Sequence, residues 1–434
     1  MVRRAAVREF AAASLWVLPA AWALAALVAG AVVSQVTIAP TSVWAPLAFQ
    51  GTADDARTLL ITIVSTVVTV IALVLGLTVV ALQLSSTQFS PRLLRNFLRD
   101  RPTQRVLSVF LSTFTYSTAG LYTVGIASGV RVQDYPRLAV TGAILLLFSS
   151  LAMVIYFADH LAHSIQIDAI TDLVQRGTVE AVRMKPGKRE LPPPTPPPWA
   201  ITVPATHSGY VQTAHPQLLL SLAVQEDVTV LLRSRVGEHV VAGTTLAWVW
   251  RRRAQDPRPE TAPFAKLLEQ AVRIGFERTL EQDAAFGIRQ LVDVACKALS
   301  PAVNDPYTAV QAVDHLAVIF CALAVRPLGD DIATTPDGEL AVIVPGRRFA
   351  DYLSTMCGLI RRYGASEPTV SVALLHLLDD CAQALTQRDR LTSIAEQVTL
   401  IRDDAEREIR QPADALIVSE AASSLADKLR SRAG

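Results

Sequence analysis

TLLITIVSTVVTVIALVLGLTVVALQLSSTQFSP, residues 58–91, contains no charged side chain. As one continuous helix it reaches about 51 Å, against a bilayer hydrocarbon core of about 30 Å. Such a helix crosses a membrane and continues past it. Three more uncharged stretches lie in the first 160 residues, Phe10 to Ala53, Val106 to Val130 and Leu138 to Ala158. Each meets the roughly 20 apolar residues that a crossing requires. The chain after His160 has the mixed composition of an aqueous domain. The expected fold class is therefore a mainly α membrane protein with four transmembrane helices, over about 11–33, 58–84, 106–128 and 138–160, in a domain spanning 1–163.

Arg3 and Arg4 before the first stretch raise the alternative of a secretory signal peptide. The apolar core Ala11 to Val33 exceeds the roughly 7–15 residues of a signal h-region, and three further stretches follow, so a membrane helix is expected. Lys and Arg gather on the cytoplasmic side of short loops. Arg3, Arg4 and Arg8 precede the first stretch, and Arg92, Arg95, Arg99, Arg101 and Arg105 lie between the second and third. The other two loops carry Arg57, Arg131 and Arg137. From that asymmetry both termini are expected on the cytosolic side. The formal net charge of +1 conceals it.

The second stretch differs from the others. Thr62, Thr66, Thr69, Leu73, Gly76, Val80 and Gln83 recur at spacings of three and four, hence on one helix face. Small and hydroxylated residues on such a face allow close helix packing within a bundle. The other reading is a wet face lining a pore between subunits. Ser90 and Pro91 end the helix as N-cap and first position of a new one. In that new helix Leu93, Leu94, Phe97 and Leu98 oppose Arg92, Arg95 and Arg99, a basic elbow suited to the anionic inner leaflet. No acidic or basic residue occurs in a span core, so the mark of a proton relay or voltage sensor is missing.

Asp159, His160 and His163 close the fourth stretch. Histidines three apart share a helix face, but no third ligand is fixed beside them, and a solvated interfacial cluster is the expectation. Cys296, Cys321, Cys357 and Cys381 follow no CxxC spacing, which excludes a zinc ribbon and a disulfide framework and leaves buried apolar thiols. No metal, cofactor or nucleic-acid partner is expected.

A cytosolic helix from Ile165 to Val182 leads to a proline-rich spacer, Leu191 to Pro198, within a linker over 164–199. Residues 200–253 then show strand character punctuated by Gly209, Gly237 and Gly243. The passage Arg235-Val-Gly-Glu-His-Val-Val-Ala-Gly-Thr-Thr-Leu246 resembles the barrel-sandwich modules of lipoyl and biotinyl carriers. A carrier needs an exposed lysine, and none occurs between Lys188 and Lys266. A structural or interaction platform is the expected role of this small β module.

Residues 254–434 read as a mostly helical cytosolic domain. One helix is expected over Thr279 to Leu299 and another, buried, over Tyr307 to Val325, with Asp305 as N-cap and Pro306 at its first position. A hairpin is expected around Glu339 to Val344, and Pro412 divides the last two helices. Gly287 in mid-helix costs about 1 kcal/mol against alanine, which signals the close approach of another backbone.

The run Arg278-Thr-Leu-Glu-Gln-Asp-Ala-Ala-Phe-Gly-Ile-Arg-Gln-Leu-Val-Asp-Val-Ala295, continued by Ala298-Leu-Ser-Pro-Ala-Val-Asn-Asp-Pro-Tyr-Thr308, resembles the signature of a bacterial family of predicted membrane proteins, domain of unknown function 2254. Leu84-Ser-Ser-Thr-Gln-Phe-Ser-Pro-Arg92 is similar to that family too. The resemblance covers nearly the whole chain and implies spans followed by a cytosolic domain. It implies no activity. The polar signature set Arg278, Asp283, Arg289, Asp293, Asn304 and Asp305 admits three readings: cross-links within the domain, a subunit contact, or a ligand site.

No Walker loop, Rossmann glycine motif, HExxH or nucleophile elbow is present, and an enzyme is not expected. The leading expectation is a homo-oligomeric pore or channel-like protein modulated by its cytosolic domain. The second is a membrane-anchored sensor or scaffold binding a cytosolic partner.

Overall fold

The computed structural model describes residues 16–36, 46, 48–88, 101–125, 135–164, 167–184, 195–335 and 341–433. The chain divides into two compact units, Met1–Ile170 and Thr171–Gly434. The first contains α1 (Val17–Val33), α2 (Ala53–Gln88), α3 (Arg101–Gly125) and α4 (Arg137–Ser164). Among the described residues three helices are long and apolar enough to cross a membrane: Ala53–Ala81 within α2, Arg137–His163 within α4, and Pro306–Ala324; α1 is a shorter apolar helix.

The third stretch of the sequence was expected as a plain span, and α3 departs from that. It packs against α1, α2 and α4, and buries Thr103, Gln104, Ser108, Ser112, Thr113 and Ser117 among them. The Thr113 and Ser150 hydroxyls hydrogen-bond across α3 and α4 at 2.8 Å, and Thr115 donates to the Ala23 carbonyl of α1 at 3.1 Å. On α1, Gly30 lies so close that an added Cβ would stand 3.0 Å from the Ala119 Cβ. Trp22, Leu24 and Val28 of α1, Ile61, Val68 and Leu75 of α2, and Leu145, Phe148, Leu151 and Ile155 of α4 point outward. Hydroxyls inside and large apolar groups outside suit apolar surroundings, where interhelical hydrogen bonds replace a hydrophobic drive to associate. The polar side chains of α3 find their partners in its central position.

The chain passes to the second unit through α5 (Ile167–Met184). There follow β1 (Ile201–Pro204), β2 (Gly209–Ala214), α6 (Pro216–Gln225), β3 (Thr229–Leu232), β4 (His239–Val240), β5 (Thr245–Trp250), α7 (Thr261–Ala271) and β6 (Val272–Gly275). Then come α8 (Ala284–Ala298), α9 (Pro306–Ala324), β7 (Asp331–Thr334), β8 (Ala341–Val344), α10 (Phe349–Tyr363), α11 (Pro368–Gln383), α12 (Arg388–Glu408) and α13 (Pro412–Ala433).

The strands expected over 200–253 form, but they make no closed barrel and do not complete a sheet by themselves. One sheet has the order β1-β5-β3-β8-β7 and the other β4-β2-β6. β8 pairs parallel to β3, with Val230 opposite Val342, and β6 pairs antiparallel to β2, with Val211 opposite Ile274. Edges left open by the short strands are thus satisfied by β6 and β8 from well downstream in the chain, as unpaired backbone groups require. Val203, Val230, Leu232, Ala247, Val249 and Val342 form one core with Leu219 of α6 and Phe264 and Leu268 of α7.

α9 meets the length and apolarity of a span, yet its apolar face is covered by protein. Ala309, Ala312, Val313, Leu316, Ile319, Phe320 and Leu323 are buried, in contact with α8, α10 and α11. Its other side carries Gln311 and Asp314, exposed. The buried Arg390 of α12 donates to the Ala324 carbonyl at 2.7 Å, closing the C-terminus of α9, and lies 5.4 Å from the Phe349 ring centre. A charged residue in mid-helix and an arginine cap are features of a helix packed within protein.

Candidate functional site

The helix expected over Thr279 to Leu299 begins later, because Asp283 is its N-cap. The Asp283 carboxylate accepts from the Phe286 N–H at 3.2 Å, and its other oxygen accepts from Arg278 Nε at 2.8 Å and lies in ion-pair contact with Nη2 at 2.7 Å. Arg278 folds back to do this, which holds the intervening chain out of helix, and its guanidinium stacks 5.2 Å from the Phe286 ring centre. Asp283 is 4% exposed. Burial pushes its carboxyl up, and the Arg278 charge opposes that shift.

A turn of the β module closes over this pair. Gly237 has φ +90, and a Cβ there would collide with the Asp283 carboxylate and stand 3.0 Å from Arg278 Nη2. From the same turn Arg235 reaches Asp351 of α10 at 3.2 Å, while Asp351 also accepts from the Arg348 N–H at 3.0 Å. Buried Tyr352 lies beside them, and burial, reinforced by Asp283, pushes its phenol up to about 12. The cavity bordered by Gln282, Arg347 and Tyr352 has about 20 Å³ of free volume, room for about one water. This arrangement clamps the β module, the 276–283 loop and α10 together with charge-assisted bonds; it leaves no space for a metabolite.

The six polar signature residues fall into three places. Arg278 and Asp283 form the clamp. Arg289 and Asp293 pair along α8 at 2.9 Å, next to Cys296, whose thiol is pushed up to about 11 by burial and then by Asp293. Asn304 adopts a left-handed conformation, φ +50, at the break between α8 and α9. Asp305 caps α9, accepting from the Thr308 N–H at 3.1 Å and its hydroxyl at 2.6 Å. Those two bonds, the hydroxyl's first, hold the Asp305 carboxyl below its ordinary 3.8. A depressed carboxyl stabilises the fold above its unfolded value and ceases to do so as pH falls through its folded one. Asp305→Ala is therefore expected to cost about 1 kcal/mol near neutral pH, with the difference from wild type beginning to shrink as pH falls below about 3.8; chemical denaturation at several pH values measures it.

The second-stretch stripe lies on α2. Thr62, Thr66, Thr69, Gly76 and Gln83 are all exposed in the single chain, while Ala56, Leu60, Ile63, Val67 and Val74 form the face buried against the rest of the unit. A Cβ at Gly76 would meet nothing within 4 Å. The Thr62 and Thr69 hydroxyls donate to the Thr58 and Ser65 carbonyls at 2.8 and 3.0 Å, which quenches their polarity along the helix. In the single chain the other described helices leave this face uncovered. The basic elbow Arg92, Arg95 and Arg99 lies outside the described residues. At the end of α4, His163 Nδ1 is 2.8 Å from the Asp159 carbonyl and the His160 ring stacks on Tyr156.

A ligand-sized cleft in the second unit went unanticipated. It has about 310 Å³ of free volume, with Leu246, Leu268, Val272 and Ile274 below and Thr206, His207, Glu269 and Arg273 at the rim. Of the clamp, Arg278, Asp283 and the Gly237 turn are marked in the sequence; Arg235, Asp351 and Tyr352 join it through long-range folding. Gly287 was expected to mark another backbone; what meets it is a side chain, Thr178 of α5, whose hydroxyl occupies the space a Cβ would need.

A family described as "Predicted membrane protein (DUF2254)" matches residues 12–380. An uncharacterized protein of Mycobacterium tuberculosis H37Rv is 43% identical over 430 residues, covering 97% of this chain and 81% of that protein. An uncharacterized protein of Mycobacterium bovis shows the same identity and coverage. No solved structure matches the chain. Outward apolar helices, the signature clamp and the extent of the match agree: this chain belongs to that family of predicted membrane proteins.

Proposed function

We propose that the protein is a bacterial inner-membrane protein that assembles from identical subunits around α2 and forms a pore, its state modulated by the second unit. The observation that carries this reading is the exposed stripe Thr62, Thr66, Thr69, Gly76 and Gln83, opposite the face of α2 that the chain itself covers. Small and polar residues on a membrane helix serve a neighbouring helix or water better than lipid tails. The 36-residue length of α2, about 54 Å of helix, carries the face past the bilayer core.

In this reading α1, α2, α3 and α4 are four spans, with α3 in the middle, and both termini face the cytosol as the arginine distribution requires. The anionic inner leaflet is the natural partner of Arg92, Arg95 and Arg99. Leucine at both Thr66 and Gly76 fills the stripe and removes a hydroxyl. Native mass spectrometry of the wild type is expected to show a homo-oligomer, and the double variant to dissociate roughly tenfold more readily, about 1.4 kcal/mol. Planar-bilayer recording is expected to show conductance for the wild type and its loss in the variant. A monomeric wild type with no conductance under any voltage, tension or ion condition overturns the proposal.

The 310 Å³ cleft favours a second reading, a membrane-anchored sensor or scaffold whose second unit binds a cytosolic partner or ligand. Purified full-length protein that retrieves no specific protein or metabolite from a lysate counts against it.

A further inference from the structure

The floor and the rim of the 310 Å³ cleft differ in chemistry. Leu246, Leu268 and Val272 in the floor are almost wholly buried, and Ile274 packs on the same core, so this surface is apolar and fixed by the sheets and α7. An apolar body covers such a surface best, and the volume is that of a small-molecule site.

The rim decides the charge that this body carries. Thr206 and His207 hydrogen-bond to each other, Oγ1 to Nδ1 at 2.9 Å. Arg273 is held in an ion pair by Glu281, which neutralises it. Glu269 is exposed, and among the described residues its carboxylate has no ion pair and no hydrogen bond. It stands in the last turn of α7, where the carbonyl end of the helix adds partial negative charge. Two separate sources of negative potential therefore meet at the mouth of an apolar cleft. No phenyl, phenol or indole ring lines it, so a quaternary ammonium would lack the π faces that suit it. A primary ammonium has N–H donors, and a carboxylate accepts them in charge-assisted hydrogen bonds.

We propose that this cleft binds a lipophilic primary amine in its ammonium form. The hydrocarbon body lies on Leu246, Leu268, Val272 and Ile274, and the ammonium donates to Glu269. Taking the cleft as a ligand site rests on the sensor reading; the pore reading plays no part in it.

The test uses full-length protein in lipid nanodiscs and three probes built on one frame: 4-phenylbutylamine, 4-phenylbutanol and 4-phenylbutyrate. Titration calorimetry, with empty nanodiscs subtracted for partitioning into lipid, is expected to show saturable binding of the amine. The amine is expected to bind about fivefold more tightly than the alcohol, the effect of one partly exposed charge pair, and the carboxylate more weakly than either. Glu269→Gln, at an exposed position, is expected to erase the preference for the amine and leave the alcohol as it was. Ala265→Trp fills the cleft from α7 and is expected to abolish binding of all three. An alcohol or carboxylate bound as tightly as the amine, an amine preference that survives Glu269→Gln, or binding that survives in folded Ala265→Trp overturns the proposal and leaves the sensor reading standing. Saturable binding of none of the probes overturns it too, and leaves the sensor reading only a protein partner. The wild type and Glu269→Gln decide the matter even where Ala265→Trp does not fold.

Discussion

Replacing Asp283 with alanine is expected to destabilise the second unit by about 3–5 kcal/mol, the usual cost of removing one partner from a buried ion pair. Three contacts are lost together. Arg278 is left without the carboxylate that neutralises it, the Phe286 N–H at the start of α8 loses its cap, and the Gly237 turn loses the surface on which it rests. Asp283→Asn keeps the shape and one capping oxygen, so it should fall between alanine and wild type. Trp248 and Trp250 on β5 lie in the same unit and report its unfolding by fluorescence. Alanine within 1 kcal/mol of wild type would show that the clamp is incidental to the fold. Burial raises the Asp283 carboxyl, so the contribution of its ionisation has the opposite sign to that of Asp305. It is complete below the ordinary 3.8 and declines as pH rises through the folded value. The permanently neutral asparagine should remove that decline.

Gly287→Ala is the second large effect. In an exposed helix the exchange gains about 1 kcal/mol. Here the new Cβ would collide with the Thr178 hydroxyl, and the Thr178 Cβ and a Leu280 methyl stand at 2.8 and 3.0 Å. Thr178 is fully buried and its hydroxyl donates to the Val174 carbonyl at 2.6 Å, so displacing it strains both its packing and that bond. Overpacking of this kind costs about 1–3 kcal/mol, which turns the expected gain into a loss. Thr178→Ala should recover part of it, and a double-mutant cycle should give a coupling of about 0.5–3 kcal/mol. Additive behaviour would mean that α5 and α8 do not cross at these residues in solution.

Local signals carried a large share of this structure. Asp305 and Pro306 announced the start of α9, because a carboxylate cap and a proline at the first position act within one turn. Gly287 announced a close crossing because its cost is local and its compensation is not. The start of α8 was misread because Leu280 fits the apolar period, while the residue that starts the helix, Asp283, does so through an ion pair as well as a cap. The polar signature divided into a clamp, a surface pair and a cap, since the fold, not the spacing along the chain, decides which charges meet.

Charge-free length in the first 160 residues is a property of composition, and it alone makes this a membrane protein, since few environments other than lipid accept so much uninterrupted apolar chain. Which helix takes the centre is not a property of composition. α3, the most polar of the four, is enclosed because its hydroxyls find partners on α1 and α4 there. By the same logic α9, apolar enough to span, is covered by α8, α10 and α11, and the stripe of α2 is left facing outward. Burial depends on the neighbours a helix meets, and only folding supplies them.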